Sequence, residues 1–167
     1  MEIHWQEAHE RMKRLLARAL EPMSGNDREA HVQHVVDDLA AFFVFCFHLK
    51  DWLRNDSTQP LPKHEVEVFV NASESLGLCA DLANATKHAV LRGGPIRRDS
   101  SPQIHGGNIS RDFALLPNAI AHESVQLRFV GSWFEVATST GKEYDALDLA
   151  RRCVREWDDF LSGKGLL

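Results

Sequence analysis

Two short stretches hold residues whose types and spacing suit chemistry. In Asp-Leu-Ala-Asn-Ala-Thr-Lys-His, residues 81–88, Asp81, Asn84 and His88 are separated by three and four positions. That spacing puts all three on one face of a helix. Turned inward, the face is a polar site; turned outward, it is a solvated stripe, the commoner fate of Asn and His. The second stretch is Phe-His-Leu-Lys-Asp-Trp, residues 47–52. His48 and Asp51 lie one helical turn apart, and Phe45, Leu49 and Trp52 make the surroundings apolar. A His48 imidazole buried there needs a hydrogen-bond partner. If the two helices are antiparallel neighbours, His48, Asp51, Asp81 and His88 face one another across a bundle. Carboxylates and imidazoles on facing helices build metal sites in bundles. The Glu-x-x-His pairs of di-iron bundles are missing, however, so a satisfied polar cluster is expected in place of a metal, and no cofactor is expected.

Other constellations are weaker. His4 with His9, and His31 with His34, are close in sequence, but nine histidines in one chain make such pairs common. They are given no role. The loop Arg-Gly-Gly-Pro-Ile-Arg-Arg, residues 92–98, gathers Arg92, Arg97 and Arg98 among glycines. Backbone N–H groups and guanidinium forks hold phosphates, yet the strand–loop–helix setting of a phosphate loop is missing. A surface loop is the expectation. No Gly-x-Ser-x-Gly is present, and Ser73 and Ser75 have no base near them in sequence. Cys46, Cys79 and Cys153 are odd in number and far apart, each among apolar neighbours. They read as inert, buried free thiols in a reducing compartment, too widely spaced for a zinc knuckle.

The bulk properties bound the partners. Net charge is −5 and the pI is near 6.0, so the basic surplus of a duplex-binding module is missing. RNA is therefore not indicated by charge. The N-terminus is charged and amphipathic, without the apolar core of a signal peptide. The longest apolar run, residues 39–47, is nine residues, against the roughly 20 of a membrane span. A cytoplasmic chain with no membrane partner is expected.

Hydrophobic period then places the elements. Trp5, Ala8, Met12, Leu15, Leu16 and Ala19 form one stripe of a helix over residues 2–21, ended by Pro22 and Ser24-Gly25. Residues 27–55 form the longest helix, with Asn26 as cap and an apolar middle that suits the centre of a bundle. Val-Glu-Val-Phe-Val, residues 66–70, alternates as a strand does, but the Pro62 start and the spacing of Val66, Phe69, Val70, Ser73 and Leu76 favour helix. Gly77 either breaks that helix or permits close packing, and residues 78–92 continue as helix. Residues 93–111 read as a loop. Residues 124–130 and 132–138 read as paired strands, with 112–117 a candidate third. Tyr144, Leu147, Ala150, Val154, Trp157 and Leu161 trace the stripe of a closing helix, with Arg151, Arg152 and Arg155 near its opposite face. The fold expected is mainly α with some β: a four-to-five-helix bundle with a small antiparallel β-hairpin before the C-terminal helix. It divides one domain, 1–167, into bundle (1–92), loop (93–111), hairpin region (112–140) and last helix (141–162).

Residues 82–88, Leu-Ala-Asn-Ala-Thr-Lys-His, resemble the signature of HEPN domains, in which Arg precedes a polar residue, often Asn, and His follows the Arg by four to six residues. Asn84 and His88 keep the register; Ala83 stands at the Arg position. The resemblance extends loosely over residues 1–92 and the last helix. The chain also resembles a group of bacterial proteins with a His-x-x-Asp-Trp helix, a Leu-Ala-Asn-x-x-Lys-His helix and a closing Trp-Asp-Asp-Phe-Leu helix, a group with no assigned activity. The HEPN resemblance implies a helical bundle, a homodimer, and metal-independent ribonuclease chemistry of a toxin or defence kind. In that chemistry Arg binds the phosphate and His88 transfers a proton, with Asn84 beside it. Such a reaction needs a cation at the developing charge, and Ala83 supplies none. Lys87 or Arg92 would have to substitute, and lysine is not an equivalent fork. Arg28 with His34 and Arg98 with His105 also fit the Arg–His spacing and carry little weight. The expected function is a degenerate, non-catalytic binding or regulatory module, with His48, Asp51, Trp52, Asp81 and Arg92 lining its pocket. The alternatives are a ribonuclease using His88, Asn84 and Lys87, and, further off, a metal-dependent bundle enzyme.

Overall fold

The structure is a computed structural model that describes residues 4–56, 61–91, 125–130, 133–138 and 142–167, for 85–91, 125, 126, 128–130 and 133 in their backbone alone. It contains α1 (Trp5–Ala19), α2 (Arg28–Asn55), α3 (Lys63–Ala72), α4 (Glu74–Leu91), β1 (Val125–Val130), β2 (Trp133–Thr138), β3 (Glu143–Asp145) and α5 (Ala146–Gly163). The protein is mainly helical, with a small antiparallel sheet before the last helix. The loop expected at 93–111 and the candidate strand at 112–117 lie outside the described residues.

The stripe read along α1 is the stripe that buries. Trp5, Ala8, Met12, Leu15, Leu16 and Ala19 are all core residues, and His9 joins them at 1% exposure. The His9 ring donates from Nε2 to the Asp158 carboxylate on α5 at 2.7 Å, and Lys13 adds its ammonium to the same oxygen at 3.1 Å. A buried imidazole is thereby satisfied, and α1 is tied to α5.

The central helix is α2, packed by the other four. By length and composition it is long and apolar enough to cross a membrane, although its longest unbroken apolar run is short. Its buried residues, Val32, Val35, Val36, Leu39, Phe42, Phe43, Cys46, Leu49 and Leu53, recur at threes and fours in one seam. The apolar residues off that seam are only half-buried. Two of them are roofed by cations: the Arg11 guanidinium lies 4.8 Å from the Phe45 ring centre, and the Lys50 ammonium 4.3 Å from that of Phe47. The helix begins one residue later than Asn26 would require. Asp27 is the cap, its carboxylate accepting from the Ala30 N–H at 3.0 Å.

Burial decides the ambiguity at 66–70. A strand would put Val66, Val68 and Val70 on one side. Here Val66 and Val70 are buried while Val68 is 64% exposed, which is helical spacing. Phe69 stacks on Phe160 of α5 at 4.3 Å and meets Trp157 edge-on at 5.1 Å. The break before α4 comes at Ser73, not at Gly77. Ser73 leaves helical geometry with ψ at 123° and then caps the next helix, its Oγ accepting from the Leu76 N–H at 2.9 Å and donating to Glu156 of α5. Gly77 lies inside α4 and a Cβ there would meet nothing within 4 Å, so it neither breaks the helix nor allows a close approach.

The sheet has the order β1-β2-β3, both pairs antiparallel, with Leu127 opposite Val136 and Val136 opposite Tyr144. β3 takes residues expected to open the last helix: Tyr144 belongs to a strand, and its hydroxyl donates to Glu74 at the start of α4 at 2.8 Å. Asp145 then caps α5, accepting from the Asp148 N–H at 2.8 Å. Leu149, Ala150, Cys153, Trp157 and Leu161 form the buried stripe of α5, while Leu147 and Val154 sit at its edge. So small a sheet persists only by packing; it lies on α4 and α5.

Two stability outcomes follow. Gly77→Ala places a methyl in open space on an unstrained helical backbone and is expected to raise unfolding free energy by about 0.5–1 kcal/mol, read as a higher urea midpoint at unchanged slope. Ser73→Ala removes a cap and a bond to Glu156 and is expected to cost about 1–2 kcal/mol on the same assay.

Candidate functional site

The residues singled out on α4 divide between core and flank. Ser75, Leu76, Leu78, Cys79, Leu82 and Ala83 are buried, and Asp81 and Asn84 are half-buried on the adjoining side. Ala83, which the expected resemblance would align with Arg, is only 2% exposed. The side chains of Lys87 and His88, and the whole of Arg92, lie outside the described residues.

On α2 the expected pair forms. The His48 ring nitrogen Nδ1 lies 2.9 Å from the Asp51 carboxylate, with the two side chains 33% and 42% exposed. Arg54 approaches the other Asp51 oxygen at 3.8 Å and also pairs with Glu67 of α3. Trp52 packs on Phe45 at 5.8 Å. Among the described residues this is a solvent-accessible network along α2 and α3. Cys46 and Cys79 meet where α2 and α4 pack, and His48 and Asp81 each follow by two residues. Positions two apart do not share a helix face, so both point away from that seam. Among the described residues no hydrogen bond or ion pair joins His48 or Asp51 to Asp81, and the side chain of His88, the fourth member of the expected cluster, lies outside them.

What the seam brings together is the three cysteines. Cys46 of α2, Cys79 of α4 and Cys153 of α5 are each fully buried, and their Sγ atoms all lie within 4.8 Å of one another. They are free thiols, as expected, but not separate ones. The Cys79 thiol donates to the Phe43 carbonyl at 3.3 Å and the Cys153 thiol to the Ser75 carbonyl at 3.5 Å. Those two bonds lace α4 to α2 and α5 to α4. Trp157, one turn beyond Cys153, is fully buried, and its indole N–H has no acceptor in hydrogen-bond geometry. Burial pushes the Cys46 thiol up, but its polar neighbours Cys153, Cys79 and Trp157 outweigh that and bring the group below its ordinary range. Burial, then the neighbouring thiols, holds Cys79 well above that range, and the neighbouring Cys46 does the same for Cys153. The cluster therefore gives up one proton more readily than the other two. Sequence spacing carries no sign of this convergence. The one available signal is that each cysteine falls on the buried stripe of its own helix.

A second feature escaped the sequence as a site. Between α1 and the start of α5 lies an open groove of about 700 Å³, floored by Leu16 and Val154 and lined by Arg151, Arg152 and Arg155 with Asp145 and Asp148. Asp148 holds Arg151 at 2.6 Å, and Arg152 lies over the Tyr144 ring at 5.9 Å. Arg155 makes no ion pair among the described residues and is exposed.

Comparison with protein-family models, with curated proteins and with solved structures gives no match. The thiol cluster sets a direct expectation. In the folded protein none of the three cysteines should react with a disulfide reagent such as dithionitrobenzoate at the rate of a free thiol, because access controls reaction. All three should react once guanidinium unfolds the chain, and prompt reaction of any one in the native state would contradict the burial described.

Proposed function

We propose that this chain is a HEPN-like bundle that works by binding and not by cutting RNA. The observation that carries the reading is Ala83, 2% exposed at the position where the ribonuclease signature has Arg. A guanidinium there would have to be desolvated in the core or threaded outward, and burying an unpaired charge is costly. The position serves packing. Without a fork at that point, the signature offers nothing to the charge that develops on a phosphate under attack. Asn84 then remains as a half-buried residue of the bundle.

The binding face we assign is the groove on α1 and α5. Arg152 and Arg155 are three residues apart and share a helix side. Their planar forks suit carboxylates, and Leu16 and Val154 offer apolar ground between them. A net charge of −5 disfavours long polyanions, so the occupant that fits is an acidic peptide segment of a partner protein.

The test pairs two assays. Purified protein incubated with short single-stranded RNA should cleave no faster than buffer, and His88→Ala should change nothing. A fluorescent glutamate-rich peptide should bind, and the double variant Arg152→Glu, Arg155→Glu should weaken it by about tenfold or more, since each charge-assisted contact is worth about 1.5–3 kcal/mol. RNA cleavage that disappears in a folded His88→Ala variant would overturn the reading in favour of the ribonuclease. Peptide binding that is absent, or indifferent to the arginines, would remove the groove as its binding face.

A further inference from the structure

We propose that Cys46, Cys79 and Cys153 form a three-thiolate site for one trivalent thiophilic ion of the arsenic(III) or antimony(III) class, enclosed where α2, α4 and α5 meet. Three observations carry it. First, three sulfurs from three helices converge within 4.8 Å in a region with no solvent exposure. A three-coordinate ion with bonds of about 2.3 Å holds its sulfurs at most about 4 Å apart, so the cluster closes on such an ion by movements of under about 1 Å. Second, no fourth ligand from His, Asp or Glu joins the cluster among the described residues. A closed zinc site wants four ligands; three sulfurs alone suit ions that are content with three. Third, the indole N–H of fully buried Trp157 has no hydrogen-bond partner among the described residues, and Trp157 is one of the groups that act on the Cys46 thiol. Donors of that kind around ligating atoms are the usual outer shell of a bound ion.

Charge selects among the soft ions. Three thiolates around copper(I) leave a net charge of −2, and around zinc −1; around a trivalent ion the sum is zero. Glu156, a charged group that acts on Cys46 and Cys153, is itself negative. No cation among the described residues is in a position to compensate. A buried, uncompensated charge is costly, so the neutral complex is favoured. The reaction also balances without redox chemistry: one neutral As(OH)₃ and three thiols give the tris-thiolate and three water molecules. The two thiol–carbonyl bonds, Cys79 to Phe43 and Cys153 to Ser75, are given up as three sulfur–arsenic bonds form. Entry requires the helices to part, so uptake is slow and set by local opening.

The experiment uses the whole reduced chain and sodium arsenite. One arsenic per chain is expected by native mass spectrometry, with a new near-ultraviolet sulfur–arsenic absorption and a rise in thermal midpoint that grows with arsenite concentration. Cys46→Ser, Cys79→Ser and Cys153→Ser should each weaken uptake by more than about tenfold. Should a serine variant fail to fold, the wild-type titration decides alone. Its competition arm adds zinc and copper(I): stoichiometric uptake of either in preference to arsenite overturns the neutral three-coordinate assignment. Absence of uptake even in mild urea, where opening is frequent, overturns the site and leaves the thiols as core packing.

Discussion

Burial of a single seam on α2 is the constraint on which the rest of the structure depends. The seam runs from Val32 to Leu53, and every other helix reaches it. Apolar burial is the main favourable term in folding, and here it is concentrated on one long surface that cannot be covered by any one partner. α1 covers it as an antiparallel neighbour and is fixed to α5 through His9 and Asp158. α4 and α5 cover it from the other side and are linked to it and to each other by cysteine thiols bonded to helix carbonyls. The cysteines are thus at the point where three helices share one interior. Small, polarisable, weakly donating side chains suit such a junction better than branched ones.

Most of the helices could be read from period alone, because each buries a stripe against something larger. The α1 stripe is legible residue by residue, and the strands at 125–130 and 133–138 fall where alternation puts them. What sequence could not resolve were the joints. At 66–70 both periods fit, and only the exposure of Val68 against the burial of Val66 and Val70 separates them. Gly77 drew attention as a breaker because glycine is one on average, yet the break is made by a serine that caps. At 143–145 a three-residue strand is too short to show a period of its own, and Tyr144 fits a helical stripe by coincidence of spacing.

The sites were less legible than the fold, and for a different reason. His48 and Asp51 are local, one turn apart, and their pairing follows from helix geometry. The thiol cluster depends on three helices arriving at one point with the right rotation, which no spacing along the chain encodes. The same rotation sends His48 and Asp81 away from each other. At Ala83 the letter alone says only that the residue is small. Its burial adds that the place itself belongs to the core.

The junction at Ser73 has a consequence for how this chain can change. α3 and α4 are separated by one residue, which ends one helix and starts the other. No slack exists between them. An α-helix advances about 100° per residue, so inserting or deleting a single residue here would swing α4 through more than a quarter turn relative to α3. Cys79 would leave the interior, and Leu78 or Ala80 would take its place. Length variation in descendants of this sequence should therefore be absent at 72–74, a segment that looks from its composition like an ordinary polar connection.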